Sequence, residues 1–330
     1  MKKLINEKEN IVKEMIHGMV KAYPQKIEAL NDMPVILRKD KKNGKVGLVS
    51  GGGSGHEPSH AGFVGYGMLD AAVAGEVFTS PSADKVYEAI KAVDSGAGVL
   101  LIIKNYSGDV MNFEMAAEMA EIEGIKVKKV IVDDDIAVEN STYTVGRRGI
   151  AGTIFVHKIL GAASEKGYSL DELEALGERL VKNIKTMGMA LKPCTVLTTG
   201  KTSFDLKDDE VEIGLGIHGE PGTHREKIQS ADKHTEYLLE KILKESDVTK
   251  EKVAVLVNGL GETTLIELFI INNKVADMLK GKGIEVAKTL VGNYMTSLDM
   301  GGFSITILKL DEETEKLLGE KSDTIALKTF

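Results

Sequence analysis

A single cysteine, Cys194, stands in this chain of 330 residues. One thiol excludes an intramolecular disulfide and a cysteine-built zinc cage, and it suits a reducing, cytosolic home. Following Pro193 at the head of an apolar run, Cys194 reads as a buried structural thiol rather than a nucleophile. An excess of positive charge is also missing. The formal net charge is −8, which argues against nucleic acid as a partner while leaving room for a local basic pocket. Long apolar runs are lacking too. Met1–Asn10 carries two lysines and then alternating charges, with no apolar core for a signal peptide. A stretch such as Val99–Ile103 is far too short to span a bilayer. The chain therefore reads as soluble and cytoplasmic, with no membrane partner. Internal repeats and low-complexity segments are absent as well.

What is present is an ordinary globular composition, 42% hydrophobic and 28% charged, in a chain long enough for two domains with sizeable cores. Short β-branched runs alternate with longer helical patterns, the signature of α/β architecture. Strands are expected at Val46–Ser50, Gly98–Ile103 and Val127–Val132, and helices at Asp109–Glu123, Ala151–Lys166 and Leu170–Met189. Pro193 stops the helical pattern, placing a boundary near Leu191. Beyond it, strands are expected at Thr195–Thr199, Val211–Gly214, Val253–Val257, Val286–Val291 and Phe303–Leu308, and helices at Glu226–Ser246, Thr263–Lys280 and Glu312–Leu318. The prediction is two α/β domains. The first, residues 1–190, is doubly wound around a mostly parallel sheet; the second, residues 191–330, is α/β or α+β with more antiparallel pairing.

Three segments carry chemistry. Gly51-Gly52-Gly53-Ser54-Gly55-His56-Glu57-Pro58 follows an apolar strand directly. So much glycine is conformationally costly, and the usual reason to accept it is close approach of backbone N–H groups to a ligand. Glu57 and Pro58 suit the first turn of a helix aimed at the same spot. No Gly-Lys-Ser/Thr follows, so this is not a Walker loop, and His56 stands where a dinucleotide fingerprint needs its third glycine. His56 and His60 flank Glu57 in a zinc-peptidase spacing, yet Pro58 between them is at odds with the shared helix face that chemistry needs.

Lys104-Asn105-Tyr106-Ser107-Gly108-Asp109 follows the most apolar strand and offers a cation and a carboxylate. Asp109 alone could be a helix N-cap; if this strand neighbours the one ending at Ser50, the two loops share a cleft. The third segment, Gly214-Leu215-Gly216-Ile217-His218-Gly219-Glu220-Pro221-Gly222, has glycines at dinucleotide spacing. Pro221 and Gly222 occupy the place where that motif needs a helix. What remains is a histidine displayed on a glycine-rich loop, with an acid nearby, able to act as base or nucleophile.

Together these segments resemble the K subunit of dihydroxyacetone kinases, as do Gly146-Arg147-Arg148-Gly149-Ile150-Ala151-Gly152 and Thr296-Ser297-Leu298-Asp299-Met300. The similarity runs over essentially the whole chain. It implies that the His218 imidazole adds to the ketone carbon as a covalent hemiaminal, that Asp109 deprotonates the attacking hydroxyl, and that His56 is an acid–base partner. Substrate contacts are implied for Gly53, Ser54, Gly55, His56, Lys104, Asp109 and His218. ATP-using members of this family carry a nucleotide-binding domain on the same chain, and 330 residues leave no room for one. The resemblance therefore points to the phosphoenolpyruvate-dependent form. There, nucleotide and magnesium sit on a partner L subunit recharged by an M phosphocarrier, with neither cofactor nor metal on this chain. It also suggests a homodimer. A ketone-sensing paralogue that activates a transcription regulator is the alternative; retention of both His56 and Asp109 favours the enzyme.

Overall fold

The computed structural model describes residues 2–140, 144–248 and 251–330. After α1 (Ile11–Ala22), a first six-stranded sheet is built from β1 (Ile27–Ala29), β2 (Val35–Arg38), β3 (Gly47–Ser54), β4 (Ala71–Val77), β5 (Val99–Lys104) and β6 (Val127–Val132). Its order is β1-β2-β4-β3-β5-β6, with β4, β3, β5 and β6 parallel and β1 and β2 antiparallel at one edge. Helices α2 (Ala83–Val93) and α3 (Ser107–Ile122) share one apolar core with this sheet. Helices α4 (Thr153–Glu165) and α5 (Leu170–Asn183) pack into the core on its other side. Continuous burial of β5 on both faces explains its unbroken Val-Leu-Leu-Ile-Ile run.

The second sheet comprises β7 (Ile184–Lys192), β8 (Glu210–Ile213), β9 (His224–Lys227), β10 (Lys252–Gly259), β11 (Glu285–Gly292) and β12 (Gly301–Leu310). It is ordered β11-β10-β12-β7-β8-β9, with only β10 and β11 parallel. Helices α6 (Ala231–Ser246) and α7 (Leu265–Gly281) cover one face. After α8 (Glu312–Gly319), the short ribbon β13 (Ser322–Asp323) and β14 (Lys328–Thr329) returns to the first sheet's side, where Asp323 N donates to Tyr66 O and Ala326 N to Gly62 O. The buried Lys158 of α4 donates to the carbonyls of Leu317 and Glu320, closing the C-terminal end of α8.

Several sequence expectations need correction. Residues 184–189, read as the end of a helix, are strand β7, so the chain enters the second sheet before residue 190. Leu, Met and Lys favour helices when isolated, but Met187 and Met189 are buried in the second core while the backbone bonds to β12 and β8. His224–Lys227, assigned partly to a helix, is an edge strand, and α6 starts only after its N-cap Ser230. Thr195–Thr199 is a turn joined to Thr202 by a single bridge. No helix follows Pro58; Ala61–Phe63 is one turn of 3-10 helix. Gly51–Ser54, expected as a loop after a strand ending at Ser50, continues β3 beside Val73–Val77.

Candidate active site

Because β3, β4 and β5 run parallel, their C-terminal ends open on the same side, where open α/β sheets hold ligands. The end of β3 delivers His56, β4 leads into Phe78 and Thr79, and β5 leads through Lys104 and Tyr106 into α3. From the second sheet, the loop after β8 brings His218, and the segment between β11 and β12 brings Thr296. These pieces enclose a cavity of about 490 Å³ whose lining includes Gly53, Phe78, Thr79, Tyr106, Asp109 and His218.

His218 is held from behind. Glu220 Oε1 accepts from its Nδ1 at 2.9 Å, and Oε2 accepts from the His218 backbone N–H at 2.9 Å. Burial alone would raise the Glu220 pKa, but His218 and Arg148 hold it at about 2. Arg148 is itself buried; it pairs with Asp135 at 2.6 Å and donates to Gly214 O at 2.7 Å, propping the loop's start. Aromatic edges confine the imidazole, with the Tyr106 ring centroid 4.6 Å and that of Phe78 5.3 Å away.

Across from it, His56 Nε2 lies 3.1 Å from His218 Nε2, and His56 Nδ1 donates to Thr296 O at 2.8 Å. A carbonyl and a carboxylate only accept, so each ring carries its hydrogen on Nδ1. In the neutral state both Nε2 atoms then present lone pairs to one another. Burial, with His218 and Lys104 nearby, pushes the His56 pKa well below its ordinary value. Two facing acceptors await a hydrogen from a third party.

On the opposite wall, Asp109 sits in the first turn of α3, two residues inside the helix, and Tyr106 is the N-cap. The carboxylate is therefore not the cap. Its Oδ2 is 3.5 Å from Lys104 Nζ, and its buried Oδ1 has no partner among the described residues. Lys104 reaches Gly51 O at 3.4 Å and His60 Nε2 at 3.1 Å. His60 in turn meets His157 Nε2 through Nδ1 at 2.9 Å. His56 and His60 thus serve different partners, and neither shares a ligand set with the other. Ser54 Oγ donates to Gly75 O, and Gly55 N donates to the Glu57 carboxylate; the cavity's lining includes their neighbour Gly53.

Two of the glycines have a further reason. A Cβ on Gly52, at φ +153°, would lie 2.4 Å from Lys104 Nζ and 3.2 Å from Asp109 Oδ2. A Cβ on Gly216 would lie 2.1 Å from Glu220 Oε2. These glycines make room for the protein's own functional side chains.

Residues 17–326 match the Dak1 domain. The chain belongs to the Dak1 family. Over 328 residues it is 57% identical to the dihydroxyacetone-binding subunit of PTS-dependent dihydroxyacetone kinase 1 of Listeria innocua serovar 6a, covering 99% of this chain and 100% of that one. It is 44% identical over 353 residues to the dihydroxyacetone-binding subunit of the PEP-dependent kinase of Escherichia coli K12, covering 99% of each. Among solved Dak1 structures, the C. freundii dihydroxyacetone kinase superposes with a TM-score of 0.90 at 37% identity, over 99% of this chain and 60% of that one. A dihydroxyacetone kinase operon co-activator superposes with a TM-score of 0.91 at 40% identity, over 96% of this chain and 98% of the other. The family expected from the loops is the family found, and the two α/β units are its fold. Sequence reading noticed Glu220 only as a nearby acid, and it overlooked Phe78 and His157. No local pattern marks these two; they act through packing between distant segments.

Proposed function

We propose that this chain is the dihydroxyacetone-binding subunit of a phosphoenolpyruvate-dependent dihydroxyacetone kinase. One observation carries the reading: the Nε2 lone pair of His218, backed by Glu220, and the Oδ1 of Asp109, without a partner among the described residues, belong to residues lining one small cavity. The nitrogen adds to the ketone carbon, and the carbonyl π pair moves to oxygen. That oxygen takes up a solvent proton, which His56 Nε2 accepts and hands on, while the imidazolium so formed keeps its Nδ1 hydrogen on the Glu220 carboxylate, which balances the charge. Glycerol has no electrophilic carbon and is refused. Asp109 then accepts the proton of a terminal hydroxyl as its oxygen attacks the phosphoryl group, and the bond to the donor breaks.

The donor in this reading is a nucleotide, with its magnesium, on an L subunit recharged by an M phosphocarrier; neither belongs to this chain. Relatives named as PTS- and PEP-dependent kinase subunits support it. A homodimer has a surface to use. Leu265, Ile266, Phe269 and Ile270 form one apolar stripe on α7, each at least half exposed.

The test is reconstitution. With L and M subunits and a phosphoenolpyruvate-driven relay, this chain should phosphorylate dihydroxyacetone, and ATP alone should not suffice. Silence of the full system while the ketone still binds would favour the second reading. In that reading the chain is a ketone sensor, and its support is the likeness to the operon co-activator at 40% identity.

A further inference from the structure

Lys104 is 1% exposed and every hydrogen of its ammonium has an acceptor: Gly51 O, Asp109 Oδ2 and His60 Nε2. The histidine is the nearest of the three, at 3.1 Å. An ammonium has only donors, so His60 Nε2 accepts and the ring's hydrogen lies on Nδ1. That hydrogen goes to His157 Nε2, 2.9 Å away, in preference to the lone pairs of Ser50 Oγ at 3.4 Å, whose own hydrogen is given to Ile102 O. His157 therefore carries its own hydrogen on Nδ1, which has no partner among the described residues. One lysine thus dictates the tautomers of two buried rings running from the cavity wall into the core.

We propose that His60 is a positioning residue of the ketone site, which holds the Lys104 ammonium beside Asp109 by accepting one of its hydrogens, with His157 fixing the His60 tautomer. A neutral acceptor suits this place better than a carboxylate. A second anion would draw the ammonium from Asp109, whereas an imidazole satisfies the third hydrogen and leaves Asp109 as the cation's one carboxylate partner. Burial keeps the two rings uncharged: the His157 pKa falls to about 3, and that of His60 falls well below its ordinary value, with Lys104 adding to the effect of burial. The other titratable groups around Lys104 and Asp109 are His56, from the loop after β3, and Tyr106, whose ring centroid is 5.9 Å from Lys104 Nζ.

This inference rests on Asp109 being the carboxylate that takes the substrate's proton, so its test includes a readout without turnover. In His60→Leu the ammonium loses its shortest hydrogen bond and drifts from Asp109. The Asp109 carboxyl carbon, followed by NMR in the ketone-free protein, should then change its chemical shift as the contact with Lys104 is lost. kcat should fall about tenfold. The ketone adduct on His218, read by intact mass, should persist. His60→Gln, which restores an acceptor, should bring the carbon signal most of the way back. Combining His60→Leu with Lys104→Met should displace the signal no further than Lys104→Met alone. An unchanged Asp109 signal in a folded His60→Leu variant would overturn the proposal, as would a Gln variant as displaced as Leu. A displaced signal in a protein that phosphorylates nothing would instead count against the kinase reading and leave this one standing.

Discussion

His218 Nδ1 and Glu220 Oε1 lie 2.9 Å apart, two residues along one loop, and that contact decides which nitrogen of His218 faces the cavity. With Nδ1 occupied, only Nε2 has a free lone pair, so the proposed adduct formation is linked to the Glu220 charge.

His218→Ala should abolish the gain in mass seen when the protein is incubated with dihydroxyacetone, with no borohydride needed to trap it. Glu220→Gln keeps an acceptor for Nδ1 but removes the charge that balances the imidazolium. Its adduct should form with affinity lower by roughly tenfold, since charge-assisted bonds are about twice as strong as neutral ones. An adduct that survives in His218→Ala would remove the histidine from its role.

Asp109→Asn separates holding from turnover. The carboxylate is on α3, across the cavity from the imidazole, and does not touch the bond-forming nitrogen. Ketone binding by intact mass should be retained, while phosphorylation in the reconstituted system should fall roughly 10²- to 10⁴-fold, the usual worth of a general base. Equal loss of both would mean that Asp109 is needed to bind.

Acid should destabilise the fold earlier than the surface charges alone would suggest. His56, His60 and His157 are buried with lowered pKa values, His157 at about 3. In the unfolded chain each takes a proton near pH 6.5. Between those limits the unfolded state binds more protons, so stability rises with pH and falls as pH drops below about 6.5. Each fully neutral ring contributes a slope of up to ~1.4 kcal/mol per pH unit. Melting temperature measured from pH 7 to pH 4 checks this, and His157→Leu should flatten the slope by about one proton. An unaltered slope would mean that His157 is protonated in the fold.

The α7 stripe gives a prediction for assembly. Phe269→Glu places a charge in the middle of Leu265, Ile266 and Ile270 without touching the cavity. Sedimentation should show a dimer for the unaltered chain and a monomer for the variant, with adduct formation on His218 preserved. A dimer that persists in Phe269→Glu would move the interface elsewhere.

Much of this was legible in the sequence, and the exceptions have physical causes. Val127–Val132 was placed to the residue, and the runs within β5 and β10 declared themselves because strands buried on both faces read as unbroken apolar segments; Phe303–Leu308 in β12 showed instead by its aromatic and β-branched residues around Ser304 and Thr306. The loops bearing His56, Lys104, Asp109 and His218 were found by glycine and charge at strand ends. Strand β7 was lost because Met187 and Met189 take their conformation from β12 and β8, which lie far away in sequence. Glu57-Pro58 looked like a helix start because local propensity cannot register that Thr296 Oγ1 donates to the Glu57 carbonyl. His157 lay beyond reach for the same reason, since its partner His60 is 97 residues earlier.

The bond from His56 Nδ1 to Thr296 O joins residues 240 positions apart and ties the first sheet's loop to a segment of the second. Contacts this distant are among the last that a chain closes, because loop entropy must be lost before they form. A chain with only one sheet folded has no oriented His56 and no facing His218. In the proposed function, affinity for the ketone is therefore a report that folding is complete, and an unfinished molecule offers no oriented imidazole to the carbonyl compounds around it.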